Sequence, residues 1–165
     1  LIKTELLFND NISVNTSINA NNNAIDEIFQ NAKINFDIVN GKINFNKTKL
    51  INKKIGSLEL DNSDLFVKDG RLILNTDILI DINNSDELFS FLQTNKRIRK
   101  KIKNILINLN YDFLSNQIKF NYVKIEDVEV SSEILRIIDN FSENELNNLN
   151  RSKRLLNELF EVYKG

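Results

Sequence analysis

INFDIVNGKINFNKTKL, residues 34–50, decides the fold, because residues 109–125 repeat it as LNYDFLSNQIKFNYVKI at a constant offset of 75 without a gap. Six positions are identical: Asn35/Asn110, Asp37/Asp112, Ile43/Ile118, Phe45/Phe120, Asn46/Asn121 and Lys49/Lys124. Most others exchange like for like, as in Phe36/Tyr111, Ile38/Phe113, Val39/Leu114 and Leu50/Ile125. Apolar and polar residues alternate on both sides of a short polar turn, the period-two signal of an antiparallel hairpin with one buried face. Asn40-Gly41 supplies the positive φ that a two-residue turn requires.

Fainter copies flank this pair. DGRLILN, residues 69–75, follows the pattern of NGKINFN, residues 40–46, and NISVN, residues 11–15, keeps its apolar, any, apolar, Asn core. A succession of similar hairpins predicts one extended sheet or solenoid, each unit covering its neighbour's apolar face.

Composition narrows the chemistry. At 165 residues and 41% hydrophobic content the chain can bury a core of its own. It starts at Leu1 and has no Met, so it reads as a piece of something longer. A net charge of -1 creates no overall field for nucleic acid or an anionic membrane. Without His or Cys there is no imidazole-dependent triad, thiol nucleophile, thiolate metal site or disulfide framework. Four glycines leave no phosphate-cradling loop. No apolar run is long enough for a spanning helix. The wealth of Asn, Ile and Lys carries the mark of an AT-rich genome, so the Asn-x-Ser/Thr triplets have no weight as glycosylation sites.

Taken in order, residues 2–8 and 12–18 predict a first hairpin, the Asn run 21–23 a break, and residues 24–31 a short helix burying Ile25, Ile28 and Phe29. After the central hairpin, whose second strand is expected to run through Ile51, residues 58–60 and 65–68 predict two strands separated by a turn at 61–64. Residues 71–83 give the longest regular strand. A helix over about 84–103 follows, with Asn84 and Glu87 as a capping box. A second long hairpin spans about 104–127, its alternation slipping between Tyr122 and Val123 as at a bulge. Helices over about 132–140 and from Ser142 close the chain. The fold class is α+β: repeated antiparallel hairpins over residues 1–130, with helices near 24–31 and 84–103, and a C-terminal helical cap over 131–165, together one structural unit.

Three sets of polar and charged residues stand out. Asp77 and Asp81 share a strand face, and Asp37 and Asp112 hold equivalent repeat positions, but alternation alone demands polar residues there, so they read as a solvated face. Asp81, Asn83, Ser85 and Glu87 lack the turn glycine of a calcium loop, and a strand end feeding a helix cap accounts for them. Lys96, Arg97, Arg99, Lys100, Lys101 and Lys103 form a basic run with two readings. They offset a helix dipole and solubilise its face, or they hold anionic headgroups. Nucleic acid fits less well, because the aromatic residues lie in apolar strand faces rather than among the cations.

The repeated hairpins, joined by SDELFSFLQTNKRIRKKIK, resemble the C-terminal region of AsmA-like envelope proteins over about residues 24–129. The resemblance implies an antiparallel sheet curled into an open trough with an apolar inner face, in a periplasmic segment of a bacterial protein anchored in the inner membrane upstream of Leu1. It also implies a non-enzymatic role, without cofactor or metal, in guiding phospholipid between inner and outer membrane, with an envelope protein as a possible second partner. The strands then offer Ile34, Phe36, Ile38, Ile43, Phe45, Leu72, Leu74, Ile78, Ile80, Tyr111, Phe113, Ile118 and Phe120 as the lipid-contacting stripe. The same residues equally suit a closed core under the helices, in a structural repeat scaffold that binds protein. A carboxylate-dependent enzyme ranks third.

Overall fold

The computed structural model describes residues 8–9, 11–21, 28–139 and 149–163. Nine strands form one antiparallel sheet: β1 (Ser13–Asn21), β2 (Asn31–Val39), β3 (Lys42–Asn44), β4 (Thr48–Asn52), β5 (Gly56–Lys68), β6 (Arg71–Ile82), β7 (Asn104–Asp112), β8 (Gln117–Ile125) and β9 (Val128–Glu129). Their order across the sheet is β1-β2-β3-β5-β6-β7-β8-β9, and β4 continues the place of β3 between β2 and β5. Three helices are described: α1 (Ser85–Leu92), α2 (Ser132–Asp139) and α3 (Leu149–Val162). The chain is α+β and dominated by its sheet.

Both quoted stretches are hairpins. Val39 pairs with Lys42 across Asn40 and Gly41, whose φ values of 50° and 69° are what a tight turn between right-twisted strands needs. Asp69 and Gly70, at 52° and 72°, do the same between Lys68 and Arg71. The second copy closes instead through the four-residue turn 113–116, where Asp112 Oδ1 accepts the N–H groups of Leu114 and Ser115. Burial raises the pKa of the Asp112 carboxyl, but these N–H groups and Arg71, 3.5 Å away, hold it below the usual carboxylate range.

Several boundaries differ from the sequence reading. Residues 58–68 are one strand, not two: the polar 61–64 segment is a bulge that sets two residues, Asn62 and Ser63, against Thr76 alone. The strand after Gly41 is broken at 45–47 into β3 and β4. In β8 the extra residue is Asn121, since Asn108 pairs with Tyr122 and Leu109 with Phe120. Ile28 to Gln30 are irregular and Asn31 opens β2, so the end of the expected 24–31 helix is not helical. The rest of that helix, residues 2–7 of the first strand and residues 142–148 of the last helix lie outside the described residues.

The largest correction concerns the helix expected over 84–103, which ends at Leu92. Asn84 caps its start by accepting the N–H groups of Asp86 and Glu87. Gln93 then turns left-handed, and its N–H and that of Thr94 bond back to Ser90 O and Phe89 O. Asn95 starts a separate 3-10 turn, Lys96–Ile98. Thr94 is buried and its hydroxyl meets Asn157 Oδ1 of α3 at 2.5 Å, while Asn157 Nδ2 donates to Leu92 O at 2.9 Å. These tertiary bonds fix the helix end, and apolar periodicity carries no sign of them.

The helices rest on one part of the sheet. Phe89 and Leu92 of α1 and Phe160 of α3 pack with Ile82, Ile102 and Ile125, and the Phe89 and Phe160 rings meet edge to face at 5.3 Å. Ile134 and Ile138 of α2 pack on Val123, beside Ile105, Ile107 and Phe120. No residue of β1 to β5 belongs to either cluster.

Candidate functional site

Pairing order, which the sequence does not give, assigns the faces. One row of direct partners crosses seven strands: Val14, Ile38, Ile43, Leu65, Leu74, Tyr111 and Ile118. A second row runs Ala20, Ala32, Leu50, Leu58, Ile80, Ile105, Ile125 and Val128. Partners in an antiparallel pair point to the same side, and residues two apart along a strand share a face. Both rows therefore belong to one apolar face, the one that carries the helices.

The irregularities keep that face in phase. In β5 the apolar residues run 58, 60 and then 65, 67, and in β8 they run 118, 120 and then 123, 125, so the parity of the alternation switches. The extra residues at Asn62-Ser63 and at Asn121 absorb the switch, as the break 45–47 does between Ile43 and Thr48. A strand without its bulge would turn half its apolar residues to the polar side. The three irregularities lie at one level of the sheet, because Thr48 pairs with Leu60, Asp61 with Asp77 and Thr76 with Leu109.

A belt of polar side chains follows that line on the opposite face. Asn35 Nδ2 donates to Lys47 O at 2.9 Å, and Asn46 Oδ1 accepts the Ser63 N–H at 2.6 Å. Asp77 accepts from Asn62 Nδ2 at 2.7 Å, Asn108 Nδ2 at 2.6 Å and Tyr122 OH at 3.1 Å, and Asn121 Nδ2 reaches Asn108 Oδ1 at 2.6 Å. Burial pushes the Asp77 carboxyl up, but the three donors outweigh it and hold the pKa below the ordinary value. Burial, and after it the contact with Asp77, push the Tyr122 phenol up. Asn46 and Asn121, identical at the offset of 75, both stand at an irregularity and serve its polar groups.

Of the stripe residues, Ile34, Phe36 and Ile38 stand in β2, Ile43 in β3, Leu72, Leu74, Ile78 and Ile80 in β6, Tyr111 in β7, and Ile118 and Phe120 in β8, all on the apolar face. Phe45 lies in the β3–β4 break with its ring 5.5 Å from that of Phe36. Phe113 is in the turn beyond β7, 47% exposed and stacked edge-on against Tyr111. Val14, Ile18, Leu50, Leu58, Leu60, Leu65 and Val67 join the same face although sequence reasoning did not single them out; their alternation marked strands without saying which side they shared.

Coverage of this face is uneven. Ile38 and Ile43 are buried, whereas Val14, Ile18, Ile34 and Val67 are exposed and Phe36, Leu50, Leu58, Leu60, Leu65, Leu72 and Leu74 half-buried. The polar face carries the paired-carboxylate candidates apart from one another. Asp81 is exposed and about 13 Å along β6 from Asp77 at the usual rise per residue. Asp37 accepts Asn15 Nδ2 at 2.5 Å in β2, and Asp112 pairs with Arg71 at the tip of β7. Among the described residues no group of three or more metal-ligating side chains converges, and no helix is long and apolar enough to cross a membrane.

The basic run divides. Lys96 and Arg97 are exposed on the 3-10 turn. Arg99 Nε donates to Thr94 O at 3.0 Å, and Lys100 Nζ sits 5.5 Å over the Tyr163 ring. Arg99, Lys100, Lys101 and Lys103 line an open cleft of about 910 Å³ at the end of the sheet where β6 passes into α1. α1 ends at Leu92, and the Arg99 guanidinium meets the chain two residues beyond that end, at Thr94.

Fold and site define an antiparallel sheet protein with one continuous apolar face, covered by helices over β6 to β8. No family model, curated protein or solved structure matches the chain.

Proposed function

We propose that this chain is a non-enzymatic lipid-binding segment of a bacterial envelope protein, which holds the acyl chains of a phospholipid against the apolar face between β1 and β6. The observation that carries the reading is the half-exposed apolar surface outside the helical cover: Ile18, Ile34 and Val67 are 53%, 37% and 40% exposed on a face whose partners are apolar across seven strands. At about 4.8 Å between strands, the five strand positions from β1 to β6 make this surface roughly 20 Å wide. Each buried methylene of a ligand laid on it contributes about 0.8 kcal/mol. The resemblance to AsmA-like proteins supplies the setting, a periplasmic segment of an inner-membrane-anchored protein that passes phospholipid toward the outer membrane. The burial of Ile38 and Ile43 beneath their own neighbours favours a second reading, a repeat scaffold with a closed core that binds protein.

Mass spectrometry of an organic extract of the purified chain separates the two. Phospholipid is expected with the wild type and largely lost from an Ile18→Asp, Ile34→Asp variant, whose two sites are exposed enough for the fold, checked by circular dichroism, to persist. Lipid absent from both proteins, or equal in both, overturns the lipid reading and leaves the scaffold.

A further inference from the structure

The cleft at the foot of β6 gathers charge that the chain as a whole lacks. Five cations, Lys49, Arg99, Lys100, Lys101 and Lys103, line it against two aspartates, Asp81 and Asp86, in a chain whose net charge is -1. Lys49 comes from β4, far from the others in sequence. The path of residues 99–103 explains the convergence. Arg99 is extended (φ −69°, ψ 125°), and the Lys103 carbonyl takes the Ile82 N–H at 2.7 Å. Ser85 Oγ donates to Ile102 O at 2.8 Å and accepts the Ile102 N–H at 3.2 Å, pinning the segment beside the start of α1.

In an extended segment side chains alternate. Ile102 is fully buried in the helix-covered core, so Lys101 and Lys103, on either side of it, are both exposed. A helix would have splayed them by roughly 200° around its axis. The other cations are engaged: Lys49 with Glu59 at 3.1 Å, Arg99 with Thr94 O, Lys100 with the Tyr163 ring. The Lys101 and Lys103 ammonium groups have no carboxylate within ion-pair distance among the described residues, and the Glu126 carboxylate is engaged with the Lys103 backbone N–H. The first N–H groups of α1 are taken by Asn84 and are not part of the arrangement.

We propose that this cleft binds a phosphate group, with Lys101 and Lys103 as its direct ligands. Ammonium groups gathered in a concavity repel one another, and an anion with several acceptor oxygens relieves that cost while forming charge-assisted hydrogen bonds. The aromatic ring in the lining, Phe89, is buried and offers no face on which a base can stack, so the ligand is a phosphoester rather than a nucleic acid strand. The phosphate belongs either to a lipid headgroup or to a soluble phosphoester. The inference does not depend on the apolar face holding lipid.

The test titrates the full chain with glycerol 3-phosphate, followed by amide NMR, and sediments it with vesicles of phosphatidylglycerol or of phosphatidylcholine alone. Saturable shifts at residues lining the cleft are expected, weakened about tenfold or more by Lys101→Gln with Lys103→Gln. Lys96→Gln with Arg97→Gln, which removes the same charge outside the cleft, leaves them unchanged. Sedimentation with phosphatidylglycerol that the cleft variant abolishes identifies a headgroup; glycerol 3-phosphate binding without sedimentation identifies a soluble phosphoester. No saturable binding of either probe, or equal weakening in the two variants, overturns the proposal. Glycerol 3-phosphate binding by a chain whose extract holds no lipid would refute the reading of the apolar face and leave this one standing.

Discussion

Gly56→Ala is expected to cost about 4 kcal/mol or more, lowering the melting temperature by roughly 10 °C. Gly56 opens β5 opposite both Asn52 and Ile82, where three strands come together. Its φ is +153°, and a Cβ built on it would lie 1.9 Å from the Asp81 carbonyl oxygen. That oxygen is backbone and cannot rotate away. The flanking Ile55 carbonyl takes the N–H groups of Asn83 and Asn84, so a shift of this strand also pulls on the connection into α1. Gly70→Ala is the control. Its φ is +72° but nothing lies within 4 Å of the added carbon, so only the backbone penalty of about 1 kcal/mol remains. Urea unfolding of the two variants compares them; equal costs would disprove the close approach at Gly56.

Asp77→Ala has the second largest expected effect, about 3 kcal/mol, because it strands three donors at once. Asp77 is 8% exposed, and Asn62, Asn108 and Tyr122 all point at its carboxylate, joining β5, β7 and β8 to β6 at the line of bulges. Asp77→Asn keeps the volume but turns an amide N–H₂ toward those donors, so it should fall between wild type and alanine. The pH dependence carries a sign. The folded-state pKa of Asp77 lies below its unfolded value near 3.8, so its contribution is present above that value and is lost as pH falls through the folded pKa. Wild-type stability should therefore drop more steeply than that of Asp77→Asn below about pH 4. Parallel stability curves for the two proteins in acid would show that the carboxylate is not held ionised by these contacts.

Period-two alternation was enough to find the strands, the Asn40-Gly41 and Asp69-Gly70 turns, and the α+β class, since each rests on local backbone chemistry. It could not find pairing order, and without order Leu58 or Leu65 cannot be assigned to the same side as Ile43. The parity switches at Asn62-Ser63 and Asn121 look like a turn or a slip in the sequence. They become bulges only when the neighbouring strand supplies the partner, as Thr76 does for the first. The 84–103 helix failed for the same reason. Apolar spacing there suits a helix through Ile102, but Thr94 and Asn157 meet across 63 residues and end it early. The basic run was visible as composition; that Lys101 and Lys103 stay exposed on either side of a buried Ile102 depended on the segment being extended.

If phospholipid lies on the apolar face of the sheet and not on the other, β2 reports it most directly, because its successive residues alternate between the two faces outside the helical cover. A photoreactive residue would be placed in turn at Ile34, Asn35, Phe36 and Asp37, and the full chain irradiated with phospholipid vesicles. Lipid adducts at 34 and 36, and none at 35 and 37, are the predicted result. Adducts at all four positions or at none would contradict the assignment of this face to lipid.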